Sequence, residues 1–217
     1  MARTRVKICC ISSLSEAKVA IEFGVDALGL VGKMPSGPGV IDDAIIREIA
    51  EAVPPAVGTF LLTSETTAER IISHYRKVNT NMIQIVDYID EGEYAKIRRE
   101  LAWVKLVQVI HVENETSIDR ALRIEKYIDG ILLDSGRPNA ATKILGGTGK
   151  THNWEISREI VAKSKRPVFL AGGITPENIR DAIDTVHPFG VDVCTGVRTD
   201  DKLDREKLKA LFEEIKN

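Results

Sequence analysis

Cys9 stands near the end of an apolar run at residues 6–11, and Asp134 closes another at residues 130–134. Set across the mouth of one pocket, a thiol and a carboxyl group suit general acid–base work, one taking a proton while the other gives one. Each also has a plainer reading. A free cysteine is commonly a small buried hydrophobe, and an aspartate ahead of Ser135-Gly136 commonly caps a turn. Glycines follow three consecutive late runs: Gly146, Gly147 and Gly149 around Thr148, then Gly172-Gly173, then Thr195-Gly196. A single pair merely turns the chain, but three in succession let backbone N–H groups approach an anion and form a phosphate cradle.

Side chains two apart on a strand share a face. If Cys9 points inward, Lys7 does so one layer deeper. Leu132 goes with Asp134, and Asp192 with Cys194. Lys7 and Asp192 are then expected to pair, which makes Lys7 structural rather than a Schiff-base former. Cys10 has the opposite parity and is expected to face outward and be inert.

Positioning these groups needs strand ends gathered at one face. Short β-branched runs at residues 6–11, 27–31, 56–62, 82–86, 104–112, 130–134, 167–171 and 191–195 each precede an amphipathic stretch, the pattern of repeated strand–helix units. Ser13, Asp42, Thr66 and Thr175 before Pro176 are plausible helix starts. Eight units of roughly 27 residues fit a (β/α)₈ TIM barrel near its lower size limit. With no linker or change of composition, the chain reads as one domain over residues 1–217. An open doubly wound sheet remains the alternative, because local pattern does not reveal closure.

Thirty Lys and Arg against 32 Asp and Glu give a formal charge of −2, without a dense basic block. Nucleic acid and anionic membrane are therefore not the expected partners. The apolar run near the amino terminus is too short for a signal segment or a span, so a soluble, cytoplasmic protein is expected. Three cysteines, two of them adjacent, form neither a disulfide framework nor a zinc spacing. The pattern leaves the oligomeric state open.

Together, Lys7-Ile8-Cys9, AKVAIEFGVDALGLV, LLDS ending at Ser135, GGTGKTHNW, LAGGITPENI and GVDVCTGV resemble the phosphoribosylanthranilate isomerase family along almost the whole chain. The resemblance implies a barrel enzyme of tryptophan biosynthesis that needs no metal or cofactor. Its substrate is a small phosphorylated sugar, an N-phosphoribosyl amine that an Amadori rearrangement converts to a 1-deoxyketose phosphate. It also implies that Cys9 is the general base at C2 of the ribose and Asp134 the general acid at the ring oxygen. The phosphate falls to Gly146, Gly147, Thr148, Gly149, Gly172, Gly173, Thr195 and Gly196, while Asp192 matches the aspartate of GVDVSSGV.

Several positions depart from the family. Cys10 stands where KICG has glycine, and PSGPG lacks the arginine of an SPR-like turn that meets the anthranilate carboxylate. Gln84-Ile85-Val86-Asp87 replaces QLHG, losing a histidine and adding a charge, and His152 replaces a phenylalanine. Lys33, Arg137 and Arg198 are the basic residues near strand ends. Arg198 is a candidate for the substrate or its phosphate, and His111 for the lost histidine. The altered residues leave two other readings open: a paralogue acting on a different phosphoribosyl amine, with a neutral or cationic aglycone, and a phosphosugar-binding barrel without turnover. A lysine-dependent aldolase is a more distant one.

Overall fold

The computed structural model describes residues 3–136 and 151–216. Eight parallel strands run through them: β1 (Arg5–Ile8), β2 (Ala27–Val31), β3 (Gly58–Thr63), β4 (Met82–Ile85), β5 (Lys105–His111), β6 (Gly130–Asp134), β7 (Val168–Leu170) and β8 (Gly190–Val193). The helices α1 (Leu14–Glu22), α2 (Asp43–Ala52), α3 (Ala68–Val78), α4 (Glu91–Glu100), α5 (Thr116–Ile124), α6 (Trp154–Lys163), α7 (Ile179–Val186) and α8 (Arg205–Lys216) alternate with them. β1 pairs with both β2 and β8, so the sheet closes into the (β/α)₈ barrel and the open-sheet alternative is excluded.

The two faces of the sheet do different work. Leu28, Leu30, Leu61, Ile83, Ile85, Leu106 and Ile110 point outward and are fully buried against the helices. At about 1.5–3 kcal/mol for each buried aliphatic side chain, this outer layer supplies the main apolar stabilisation. The inward face holds a smaller set, among them Ala27, Phe60, Val107, Leu132 and Phe169. Phe60 and Phe169 meet edge to face at 6.0 Å and fill the interior. Above this plug the barrel can carry polar groups without emptying its core.

Two helix starts follow the sequence closely. Ser13 accepts from the Glu16 N–H at 3.2 Å, and the Glu16 carboxylate reaches back to the Ser12 N–H at 2.9 Å, close to a capping box. Asp42 is the N-cap residue of α2. The third helix is capped one residue later than expected, at Thr67. The seventh starts at Ile179 rather than beside Pro176, because Asn178 accepts from the Thr175 N–H and donates to the Gly173 carbonyl, both at 2.9 Å. That turn keeps residues 172–178 as a loop at the barrel rim. After β8 a single 3₁₀ turn (Thr195–Val197) leads into a small hairpin of β9 (Arg198–Thr199) and β10 (Lys202–Leu203).

Candidate active site

The carboxyl ends of the strands surround a cavity that is open at its mouth. Cys9 from β1's end, Gln84 from β4, Asp134 from β6 and Asp192 from β8 form its polar part. Strand parity places them there: β1 and β8 run in register with Lys7 opposite Asp192, and the Cys9 N–H continues the ladder to the Val193 carbonyl at 2.8 Å.

Lys7 is fully buried beneath this floor, 2.8 Å from the Asp192 carboxylate and 5.2 Å from the centre of the Phe60 ring. The expected pairing is present. Burial works against the ammonium, but Asp192 and the neighbouring Cys9 outweigh it and hold Lys7 above its ordinary value. Gly29 makes this stack possible: a Cβ there would lie 2.9 Å from the Cys9 sulfur and 3.0 Å from the Lys7 nitrogen. The sequence offered no reason to single out that glycine.

The acid–base pair is driven in opposite directions. The neighbouring Cys10 and Cys194 side chains and, below, Lys7 hold the Cys9 sulfur well under its ordinary value although burial opposes ionisation. Burial pushes the Asp134 carboxyl up, and its bond from the Ser135 N–H, 2.7 Å long, offsets this only in part. A thiol shifted toward its ionised form and a carboxyl shifted toward its neutral form, in one cavity, suit general base and general acid roles.

Three expectations need correction. Cys10 is not turned toward the helices: its φ of 63° bends the chain at the end of β1 and brings it to the cavity wall, under Gly39 and with its sulfur 3.6 Å from the Pro38 carbonyl. Parity describes only extended backbone, and the strand has ended there. Arg198 is not available to a substrate, since its side chain is buried. Its guanidinium grips both Glu16 oxygens at 3.1 Å, the Asp201 carbonyl at 2.8 Å and the carbonyls of Cys9 and Cys10. It clamps the thiol-bearing turn from behind, a role that depends on Glu16, which sequence reasoning missed. His111 is fully buried and does not line the cavity; its Nε2 lies 2.9 Å from the Val86 carbonyl.

Gly172 and Gly173, with φ of 81° and 66°, line the β7–β8 rim together with Thr195. Gly196 lets the chain pass the Ile174 carbonyl, which a Cβ would meet at 2.1 Å. His152 sits against Gly172 and Ser135 and bonds Ser157 at 2.7 Å; burial pushes its imidazole down to about 4, so it is neutral at pH 7. Gly146, Gly147, Thr148, Gly149 and Arg137 lie outside the described residues. The remaining wall is apolar: Val31, Met34, Pro38, Leu62 and Val86. Lys33 is exposed and Asp87 caps its neighbour Tyr88 at 2.8 Å, and neither lines the cavity. Among the described residues, those lining it include no Lys or Arg.

Fold and site together define a (β/α)₈ barrel with candidate acid–base groups on its strand ends. Comparison with known proteins makes this particular. Residues 6–214 match the family model for N-(5'-phosphoribosyl)anthranilate isomerase, and the chain belongs to that family. It is 31% identical over 214 residues to the isomerase of Methanocella arvoryzae, covering 98% of both chains. The crystal structure of phosphoribosylanthranilate isomerase from Thermotoga maritima superposes with a TM-score of 0.83 at 32% identity, again over 98% of each chain. A phosphoribosylanthranilate isomerase in complex with reduced 1-(o-carboxyphenylamino)-1-deoxyribulose 5-phosphate gives 0.79 at 29% identity, over 98% of each chain. Among the described residues, no helix is long and apolar enough to cross a membrane.

Proposed function

We propose that this chain isomerises N-(5'-phosphoribosyl)anthranilate to 1-(o-carboxyphenylamino)-1-deoxyribulose 5-phosphate, with Asp134 as general acid and Cys9 as general base. The observation that carries this reading is one cavity holding a thiol pulled down and a carboxyl pushed up. Asp134 gives its proton to the furanose ring oxygen as the bond from that oxygen to C1 breaks, leaving a protonated Schiff base. The Cys9 thiolate removes the proton from C2, and the electron pair moves to form an enolamine. Transfer of the enol proton to C1 then yields the ketose, and the proton Cys9 took from C2 passes by way of solvent to Asp134, so both groups regain their starting states. No atom is gained or lost.

The surroundings fit the same substrate. The Oδ1 of Asp192 is buried without a hydrogen-bond partner among the described residues, ready to accept from a ribose hydroxyl. Unpartnered acceptors of this kind are costly unless a ligand meets them. The rim of Gly172, Gly173, Thr195 and Gly196 receives the phosphate through backbone N–H groups. The apolar wall from Val31 to Val86 takes the aromatic ring.

Turnover of N-(5'-phosphoribosyl)anthranilate, followed by the loss of its fluorescence, tests the assignment. Cys9→Ala and Asp134→Asn should each lower kcat by on the order of 10² to 10⁴ while leaving the far-ultraviolet circular dichroism unchanged. Full activity in either variant removes the mechanism.

A further inference from the structure

We propose that Cys9 and Cys194 form an oxidation site inside the catalytic cavity, where a peroxide converts the two thiols into a disulfide. Three free thiols, those of Cys9, Cys10 and Cys194, line this one cavity. The β1–β8 ladder pairs Lys7 with Asp192 and Ile8 with Val193, and the Cys9 N–H bond to Val193 carries it one step further. Cys9 and Cys194 are therefore next in register, and both line the cavity. Neighbouring strands lie about 4.8 Å apart, inside the roughly 4.4–6.8 Å between Cα atoms that a disulfide spans. Cys9 and Cys10 are adjacent in the chain, and their Cα atoms, about 3.8 Å apart, are closer than that window. Cys10 is also held toward the Pro38 carbonyl.

The chemistry of the three groups is unequal. Cys9 is the thiolate of the cluster, whereas Cys10 and Cys194 are held protonated. The neighbouring Cys194 and Cys9, with burial, raise Cys10; against the pull of Cys10, Cys9 and burial raise Cys194. A thiolate reached through an open mouth, next to a protonated thiol, has the make-up of an oxidisable pair with its resolving cysteine. Cys9 attacks one peroxide oxygen. The O–O bond breaks, an alkoxide or hydroxide leaves and takes a proton from solvent to become alcohol or water, and Cys9 becomes a sulfenic acid. The Cys194 sulfur then displaces its hydroxyl, forming the S–S bond, and the Cys194 proton leaves with that hydroxyl as water. The peroxide takes two electrons, one from each sulfur. A dithiol returns them by exchange.

The consequence for turnover rests on the reading of Cys9 as the general base, because the disulfide removes that base. The site itself does not depend on it. The full chain is treated with hydrogen peroxide, then followed by intact mass, peptide mapping and turnover before and after dithiothreitol. The expected result is loss of two hydrogens and a Cys9–Cys194 cross-link in the unmodified protein and in Cys10→Gly, whose glycine suits the positive φ. Cys194→Ser should show no such loss, and its Cys9 should advance to sulfinic acid, which dithiothreitol does not reverse. Absence of the two-hydrogen loss in the unmodified protein, or its persistence in Cys194→Ser, overturns the proposal. If the cross-link forms as described while turnover stays at its untreated value, the oxidation site stands and the role of Cys9 as base falls.

Discussion

The two halves of the cavity are built on different principles. On the β8–β1 side, Lys7, Cys9, Asp192 and Cys194 are held by ladder register, by a buried ion pair and by the Arg198–Glu16 clamp behind the turn. On the β2–β4 side, Val31, Met34, Pro38, Leu62 and Val86 form a wall of apolar contacts and loop residues. The first half sets proton affinities, and its members depend on one another: without Lys7 the Asp192 carboxylate would be a buried charge without a counterion. The second half sets shape, and any one residue there can change without disturbing charge elsewhere. On the proposed mechanism the base belongs to the coupled half, the acid Asp134 stands apart on β6, and substrate preference falls to the separable half, a division that barrels allow because strand ends carry chemistry and loops carry specificity.

Breaking the coupled half should have the largest effect. Lys7→Met leaves the Asp192 carboxylate unpaired and should lower stability by about 3–5 kcal/mol, read as a shift of the urea midpoint. Adding Asp192→Asn to it should recover part of the loss. If Lys7→Met alone leaves the midpoint unchanged, the ion pair is not what braces this side.

A pH profile examines Cys9 of that half together with Asp134 on β6 more gently. On the proposed mechanism the productive form has Cys9 ionised and Asp134 protonated, so kcat/KM should rise with pH as Cys9 ionises and fall as Asp134 loses its proton, burial moving that falling limb to higher pH. Asp134→Asn has no proton to lose there, and its reduced rate should keep the rising limb without the falling one. A falling limb that survives the substitution would assign it to another group.

The smallest effect belongs to the separable half. Pro38→Arg places a guanidinium on the cavity wall and should strengthen binding of the carboxylate substrate by on the order of 1–2 kcal/mol, seen as a lower KM. The carboxamide analogue should show no such gain, and kcat should hardly move. Equal gains for both compounds would mean that the wall does not face the carboxylate.

How far the chain could be read without its structure depended on how local each cause was. Alternation by two put Lys7, Cys9, Asp134 and Asp192 on the inner face, because it follows from the backbone of a strand. The same rule failed at Cys10, where the strand stops and φ turns positive. Asn178 postponed α7 through bonds to Thr175 and Gly173 that no helix propensity records. Arg198 looked available because Glu16, its partner, lies 182 residues earlier.

What the sequence by itself determined is the run of eight strand–helix units, the inward parity of the reactive side chains and the family to which the chain belongs. These rest on periodicity and on motifs, which need no knowledge of distant contacts. Only the tertiary structure decided that β8 closes on β1, that Gly29 leaves room for the Lys7–Cys9 stack, that Arg198 clamps rather than binds, and that three thiols meet. Each of those requires residues from opposite ends of the chain to share one small volume, and it is closure of the barrel, driven by burial of its outer apolar layer, that brings them there.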